Sequence, residues 1–573
     1  MNLFRSILMK LVYKDKYQVV DGNMSDSQVG ARKKKNIRNH IFVLNGIINE
    51  AIQTGKSIDV LLYDYRQCFD SLWLEECINH LFDAGIQDDK LALIYEANKV
   101  NKVAVKTPFG LTERETVNKI VLQGEVLGPL QCRVLVDTIG KECLTEDKLL
   151  YNYKGVKVPA LAMVDDLACV TKSGVDSAEM NAFIKTKTNL KKLQFGSQKC
   201  HQLQIGNKEH LAADLFIDNW EVTKVSESET GVTNLMDSNS GEVQVEVADK
   251  EKYLGDILSN DGKNTKNILA RKGKGLGVVD QITSILEEIC FGPYQLEVAL
   301  HLRNSMLLNG ILTNSEAWYG LTAEDIKQLE QVDETLLRKF LEAPFSTPKV
   351  MLYLETGTKP IRFTIKMRRV MFLQNILQED QNCLISKFFH AQDKKPGKND
   401  WSLTARQNLE ELNLNLDFED IRKMSKFQFH SKASKAMSKL AFEYLLKEKN
   451  KGGTEQGKVS HIKFSELKLQ KYFIPNNTSV KMAKFIFHAR CRMLDLKTNY
   501  KNRNYSDMFC PICNNPETTD SQQRLLVCPA LCVSSENRVE YSDLFSTNIE
   551  KQLGVATILE RNLKKRSTIL KVS

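Results

Sequence analysis

Residues 160–170 read ALAMVDDLACV, two adjacent aspartates inside an otherwise apolar run. An ionised carboxylate among Ala, Leu, Met, Val and Cys is costly unless a cation or hydrogen-bond donors meet it. The flanking runs VPALAM (158–163) and LACVTK (167–172) predict two short strands, which puts Asp165 and Asp166 at the tip of a hairpin. Upstream, KSIDVLLYDY (56–65) alternates Ile58, Val60 and Leu62 and predicts a strand that delivers Asp64 to its end. Carboxylates at the ends of two neighbouring strands can converge on a pair of divalent cations about 4 Å apart, an arrangement suited to in-line phosphoryl transfer. An Asp-Asp pair by itself is common and fits a solvated hairpin tip better than a metal site. Its weight comes from the company it keeps.

Working outward, IFVLNGIINEAI (41–52) is spaced as a helix, and SLWLEECINHLFDAG (71–85) sets Leu74, Cys77, Ile78, Leu81 and Phe82 on one face with Gly85 as its stop. KVAVKTPFG (102–110) alternates as a strand, and a Gly-bearing turn at QGEVLGPL opens into a helix. From about residue 265 to 500 the pattern is mostly helical, with breaks at FGPYQ, APFSTP, KKPGKND and NKGGTEQG, the last being the clearest linker.

With 573 residues and 42% hydrophobic content the chain holds several domains. The formal charge is +9, yet residues 431–510 alone carry 17 Lys plus Arg against 6 Asp plus Glu. One C-terminal region therefore holds the positive field. Thirteen cysteines, odd in number and irregularly spaced, do not form a secreted disulfide framework and predict a reducing, intracellular location, nuclear or cytoplasmic. No apolar run is long enough to span a bilayer, and charged residues interrupt MNLFRSILMKLVYKDK at the start, so no membrane association is expected.

YDYRQCFDSLW (63–73) resembles motif A of the reverse transcriptases of non-LTR (LINE-type) retrotransposons, in which an aspartate is followed by four residues and Phe-Asp. LQGEVLGPL (122–130) resembles motif B, MVDD (163–166) motif C, LQFGSQKC (193–200) motif D and KYLGDILSNDG (252–262) motif E. QVGARKKKNIRNHIF (28–42) is similar to a fingers motif built on Gln, Gly and Arg, and residues 316–344 resemble the helical thumb. The departures are Met163 where the family has an aromatic, and Glu125, Val126 and Gly128 in place of Asp, Pro and Ser. Only 27 residues precede the Gln-Gly-Arg motif, so the resemblance implies a truncated chain without the family's endonuclease domain and with incomplete fingers.

The resemblance implies an α+β right-hand polymerase: partial fingers over 1–55, palm and remaining fingers over 56–262, a mostly helical thumb over 263–348, a basic helical region over 349–500, a Cys-rich knuckle over 501–540 and a tail over 541–573. Its implied function is RNA-directed DNA synthesis on an RNA template from a DNA primer or target, with dNTPs as substrates. Asp64, Asp165 and Asp166 would hold Mg²⁺ or Mn²⁺, and Lys199 would be a general acid toward pyrophosphate. Phe69 would lie under the sugar and exclude a 2′ hydroxyl, or else serve as a core aromatic. A viral RNA-copying polymerase would need space or a polar group there. Gln123 and Gly124 would let the backbone approach nucleotide and template. Arg32 would grip triphosphate oxygens, unless RKKK is only a solvated charge run. The alternative to an active enzyme is a catalytically silent derivative that only binds nucleic acid.

CPICNNPETTDSQQRLLVCPALC (510–532) offers Cys510, Cys513, Cys528 and Cys532. Family members carry a Cys-Cys-His-Cys knuckle here, and their His falls at Arg524, which cannot bind a metal. Either Cys532 completes a four-thiolate Zn²⁺ site or the knuckle has decayed. In the basic region, Phe442, Tyr444, Phe464, Tyr472, Phe473, Phe485, Phe487 and Tyr500 interleave with lysines. Such a mixture suits stacking on single-stranded or structured RNA, and suits equally a helical domain with core aromatics and a wet lysine face.

Overall fold

The apolar runs around the aspartates lie side by side in one sheet. In the computed structural model, five strands, β1 (Ile58–Tyr63), β2 (Leu161–Met163), β3 (Asp166–Lys172), β4 (His201–Ile205) and β5 (Glu246–Val247), take the order β5-β4-β1-β3-β2. Neighbours run antiparallel except β4 and β5. The structure describes residues 3–99, 101–104, 106–117, 127–172, 174–206, 214–227, 233–289, 292–451, 459, 461–499, 508–513, 515, 517–532 and 539–572. Gln123 and Gly124, Tyr500 and most of the linker at 450–457 fall outside the described residues.

The alternation in β1 predicts a strand with one buried face, but all six of its residues are buried. Both faces are covered. On one, Leu61 and Tyr63 share a core with Cys132, Leu135, Val136 and Ile139 and with Met180 and Ile184. On that same face Asp59 is fully buried and accepts a hydrogen bond from the Ser177 hydroxyl, which is how a carboxyl is tolerated inside, and the opposite face holds Ile58, Val60 and Leu62, also buried.

Two compact units divide the chain. The first is Met1–Asn267 with Glu316–Leu321 and Phe372–Arg406, and the second is Ile268–Ser315 with Thr322–Met371 and Gln407–Ser573. The first unit is mixed α/β. Its helices include α1 (Leu3–Asn23), α2 (Ile37–Thr54), α3 (Gly128–Cys143) and α4 (Val175–Leu190). A face of α1 with Met9, Val12 and Val20 packs on Leu81, Ile94, Leu130 and Val134. Segments distant in sequence join this unit through aromatic contacts, with Phe42 of α2 against Tyr319, Phe372, Phe388 and Trp401 at ring-centroid distances of 5.1–5.9 Å.

The second unit is mostly helical. In α5 (Lys426–Asn450), the buried residues Phe429, Ala433, Met437, Ala441 and Leu445 recur every fourth position, a stripe that winds slowly around the helix. Of the two readings of the aromatics in the basic region, their packing follows the second, core rings with a wet lysine face. Tyr472, Phe473 and Phe487 are buried in one core, and Phe442, Tyr444, Phe464 and Phe485 pack partly buried against it. Each ring gains about 2 kcal/mol or more from leaving water, so the aromatics go inward. Lys432, Lys435 and Lys439 remain exposed on α5.

Candidate active site

Register assembles the site. Leu62 and Tyr63 pair with Ala168 and Leu167 on one side of β1, and Leu62 pairs with His201 on the other. Continued past the end of β1, the same register sets Asp64 between Asp166 and Lys199. The third carboxylate comes from the hairpin tip, because Met163 pairs with Asp166 and leaves Val164 and Asp165 as a two-residue turn. Lys199 Nζ stands 3.3 Å from Asp64 Oδ1. Behind Asp64, the Gly196 N–H donates to the Asp64 carbonyl at 2.8 Å. A Cβ on Gly196 would sit 3.0 Å from Asp64 Oδ1, so glycine permits this approach.

Charge accumulates here without an equal counter-charge. Burial raises the Asp165 carboxyl above its ordinary value, the Asp64 charge adds to that, and backbone N–H groups and Lys199 oppose it. Asp166 is pushed up from 3.8 to about 6, first by burial and then by the charges of Asp165 and Asp64. Lys199 is 71% exposed and supplies a single positive charge. Three partly buried, hard oxygen donors with too little positive charge between them fit Mg²⁺ or Mn²⁺.

Phe69 follows the site in the short helix Cys68–Ser71 and packs half-buried against the core beneath the sheet. Arg32 requires a correction. Its side chain is 6% exposed, pairs with Asp21 at 2.9 Å, and donates to the carbonyls of Asp21, Ser25 and Gln28. Its guanidinium holds its own loop together and is not presented for a triphosphate. The reason is local: Asp21, at the end of α1, and the turn that follows offer acceptors that fill the planar fork. Three residues that carry no predicted role contribute to the site: Gly196, and Gln28 and Gly30, which meet the hairpin tip from the loop before α2.

At the C-terminus, Cys510, Cys513 and Cys528 have sulfurs within 4.8 Å of one another, a group that can hold a metal ion. Cys532 is not among them, which corrects the four-thiolate expectation. Its Sγ donates to the Leu526 carbonyl at 3.0 Å and accepts from Asn562 Nδ2 at 3.6 Å. Helix α6 (Gln522–Val527) carries Arg524, whose Nη2 reaches Cys513 Sγ at 3.0 Å. Burial alone would raise the Cys513 thiol, but the Arg524 guanidinium and the Asn515 backbone outweigh it and bring it down to about 6. Burial pushes Cys528 the other way, to about 11.

The family described as reverse transcriptase (RNA-dependent DNA polymerase) matches residues 1–257, the stretch that contains Asp64, Asp165, Asp166 and Lys199. Over that stretch the chain is similar to a reverse-transcriptase domain. Its small sheet with helices, followed by a mostly helical remainder, agrees in general terms with a palm, fingers and thumb layout. Among solved structures, apo telomerase from Candida tropicalis is similar at 10% identity and a TM-score of 0.32, over 77% of this chain and 57% of that one. Telomerase from Candida albicans in complex with a TWJ fragment of telomeric RNA is similar at 12% identity and a TM-score of 0.25, over 67% of this chain and 55% of that one. The chain spans a little over half the length of the telomerases it matches. No curated protein matches it significantly, and among the described residues no helix is long and apolar enough to cross a membrane.

Proposed function

We propose that this chain is an RNA-directed DNA polymerase of the non-LTR retrotransposon type, extending a primer 3′ hydroxyl with dNTPs on an RNA template. The observation that carries the reading is Asp64 set by strand register between Asp166 and Lys199, with Asp165 at the adjoining turn. In this reading Asp64, Asp165 and Asp166 hold two divalent ions, which supply activation of the primer hydroxyl and neutralise charge on the triphosphate. Lys199, exposed and beside Asp64, protonates or pairs with the leaving pyrophosphate. Phe69 closes the floor under the deoxyribose, and Gln123 and Gly124 belong to the segment that meets the nucleotide. Cys510, Cys513 and Cys528 hold a zinc ion that ties down the C-terminal segment.

The test is incorporation of labelled dTTP on primed poly-rA with Mg²⁺ or Mn²⁺. Wild-type protein should extend the primer, and Asp165→Asn, which removes a ligand charge and little volume, should lower incorporation by about a hundredfold or more while RNA binding stays within about twofold. Full activity in Asp165→Asn removes the two-metal assignment. RNA binding by a wild-type protein that incorporates nothing marks a silent derivative.

A further inference from the structure

The catalytic hairpin has a turn that its own sequence does not hold. Two-residue hairpin turns favour Gly, Asn or Asp where φ is positive, yet Val164, β-branched, sits at φ +61°. Such a conformation persists only where the surroundings enforce it. One side chain takes both backbone polar groups of Val164. Gln28 Oε1 accepts from the Val164 N–H at 2.9 Å, and Gln28 Nε2 donates to the Val164 carbonyl at 3.2 Å. Gln28 is fully buried. Its Oε1 also accepts from the Gly30 N–H at 2.9 Å, and its Nε2 reaches the Arg133 carbonyl at 3.5 Å.

The amide is itself fixed from several directions. The main chain on either side of Gln28 lies along β2, with Val29 N–H donating to the Ala162 carbonyl and Ala162 N–H to the Ser27 carbonyl, both at 2.9 Å. From α3, Arg133 donates to the carbonyls of Gly30 and Ala31 at 3.1 and 2.6 Å. A Cβ on Gly30 would come within 2.6 Å of the Val164 nitrogen, so only glycine lets the loop reach the turn. Loop, hairpin edge and α3 therefore form one hydrogen-bonded unit that ends on the peptide preceding Asp165.

We propose that Gln28 is a positioning residue that clamps the Val164 peptide in its left-handed conformation and thereby aims Asp165 toward Asp64. Glutamine suits the task because one planar amide offers an acceptor and a donor at the spacing of one residue's N–H and C=O. Glutamate keeps the acceptor and loses the donor, and methionine keeps the length and loses both. A glycine at 164 would adopt the turn unaided, which separates clamping from packing. The kinetic arm of the test rests on the polymerase reading, whereas a metal-binding arm does not.

Gln28→Met and Gln28→Glu are made alone and together with Val164→Gly, with folding checked by far-UV circular dichroism. In dTTP incorporation, Gln28→Met should lose about tenfold or more in kcat with KM for dTTP within about threefold, and adding Val164→Gly should restore most of it. Mn²⁺ affinity, read by electron paramagnetic resonance with Asp165→Asn as the blank, should fall about tenfold in Gln28→Met and recover in the double variant. Unchanged kcat and Mn²⁺ affinity in Gln28→Met overturn the proposal, as does a loss that Val164→Gly leaves uncorrected, which would make Gln28 a packing residue. If Gln28→Met does not fold, Gln28→Glu decides by the same two readouts. A wild-type chain that incorporates nothing ends the polymerase reading, and the Mn²⁺ titration then decides the clamp. Absence of Asp165-dependent Mn²⁺ binding in that chain overturns both.

Discussion

Asp166 is the residue at which the fold and the proposed chemistry pull in opposite directions. Its carboxyl is raised from 3.8 to about 6 by burial and by Asp165 and Asp64, so the folded chain binds this proton more tightly than the unfolded chain. The stabilising contribution is complete below about pH 4 and is lost as pH rises to about 6, by about 1–2 kcal/mol after allowance for solvent screening. Asp166→Asn should accordingly raise the melting temperature of the metal-free protein at pH 7.5 and leave it nearly unchanged at pH 4. Mg²⁺ should stabilise the wild type at pH 7.5 more than the variant, and incorporation should decline as pH falls through 6. A thermal-shift series over pH 4–8 with and without Mg²⁺ checks the sign, and a destabilised variant at pH 7.5 would contradict it. The aspartates were legible in the sequence because a carboxylate in an apolar run demands an explanation. Gln28 was legible only as a member of the fingers motif and not as a support of the hairpin, since an amide that binds a backbone 136 positions away leaves no periodicity. Arg32 misled for a related reason: the sequence shows a guanidinium but not the carbonyls that occupy it.

At the scale of elements, the C-terminal segment shows how spacing can suggest a ligand that geometry withholds. Four cysteines in two close pairs read as one site, yet the short helix α6 and the turn after it send Cys532 toward the Leu526 carbonyl and Asn562, while Cys510, Cys513 and Cys528 face one another. Zinc content per chain should therefore be lost in Cys513→Ser and kept in Cys532→Ser, as measured by a chelator-release assay; equal loss in both would restore the four-thiolate site. Elements that the sequence announced by period, such as the hairpin of β2 and β3 and the helix α2, formed where expected. The paired strands Phe216–Glu227 and Thr233–Gln244 did not announce themselves, because FIDNWEVTKVSE and TNLMDSNSGEVQ mix charged, polar and apolar residues without a sustained alternation. In α5 the rings and lysines were legible as a list but not as faces, and burial of the shared core decided which way each pointed.

Among the described residues, one core lies under the sheet and another among the C-terminal helices, and the chain crosses between the units more than once. A linear reading divides it at composition breaks and misses such returns, because contacts like Phe42 with Trp401 link segments that no local signal connects. The division makes the units separately observable. All four tryptophans, Trp73, Trp220, Trp318 and Trp401, lie in the first unit. In the second, Arg490 and Glu355 form an ion pair at 2.8 Å with side chains 2% and 0% exposed. Tyr472 donates to the same carboxylate at 2.6 Å, and the Leu544 carbonyl accepts from Arg490 at 3.0 Å. Arg490→Met leaves a buried carboxylate without its counter-charge, which costs about 3–5 kcal/mol. For a unit of this size that is roughly a 10 °C fall in melting temperature. Because each unit has a core of its own, the fall should show in far-UV circular dichroism as an early helical transition, while the tryptophan emission midpoint stays at its wild-type value. Coincident shifts of both signals would mean that the units melt as one, and an unshifted circular dichroism curve would mean that the ion pair does not hold the second core.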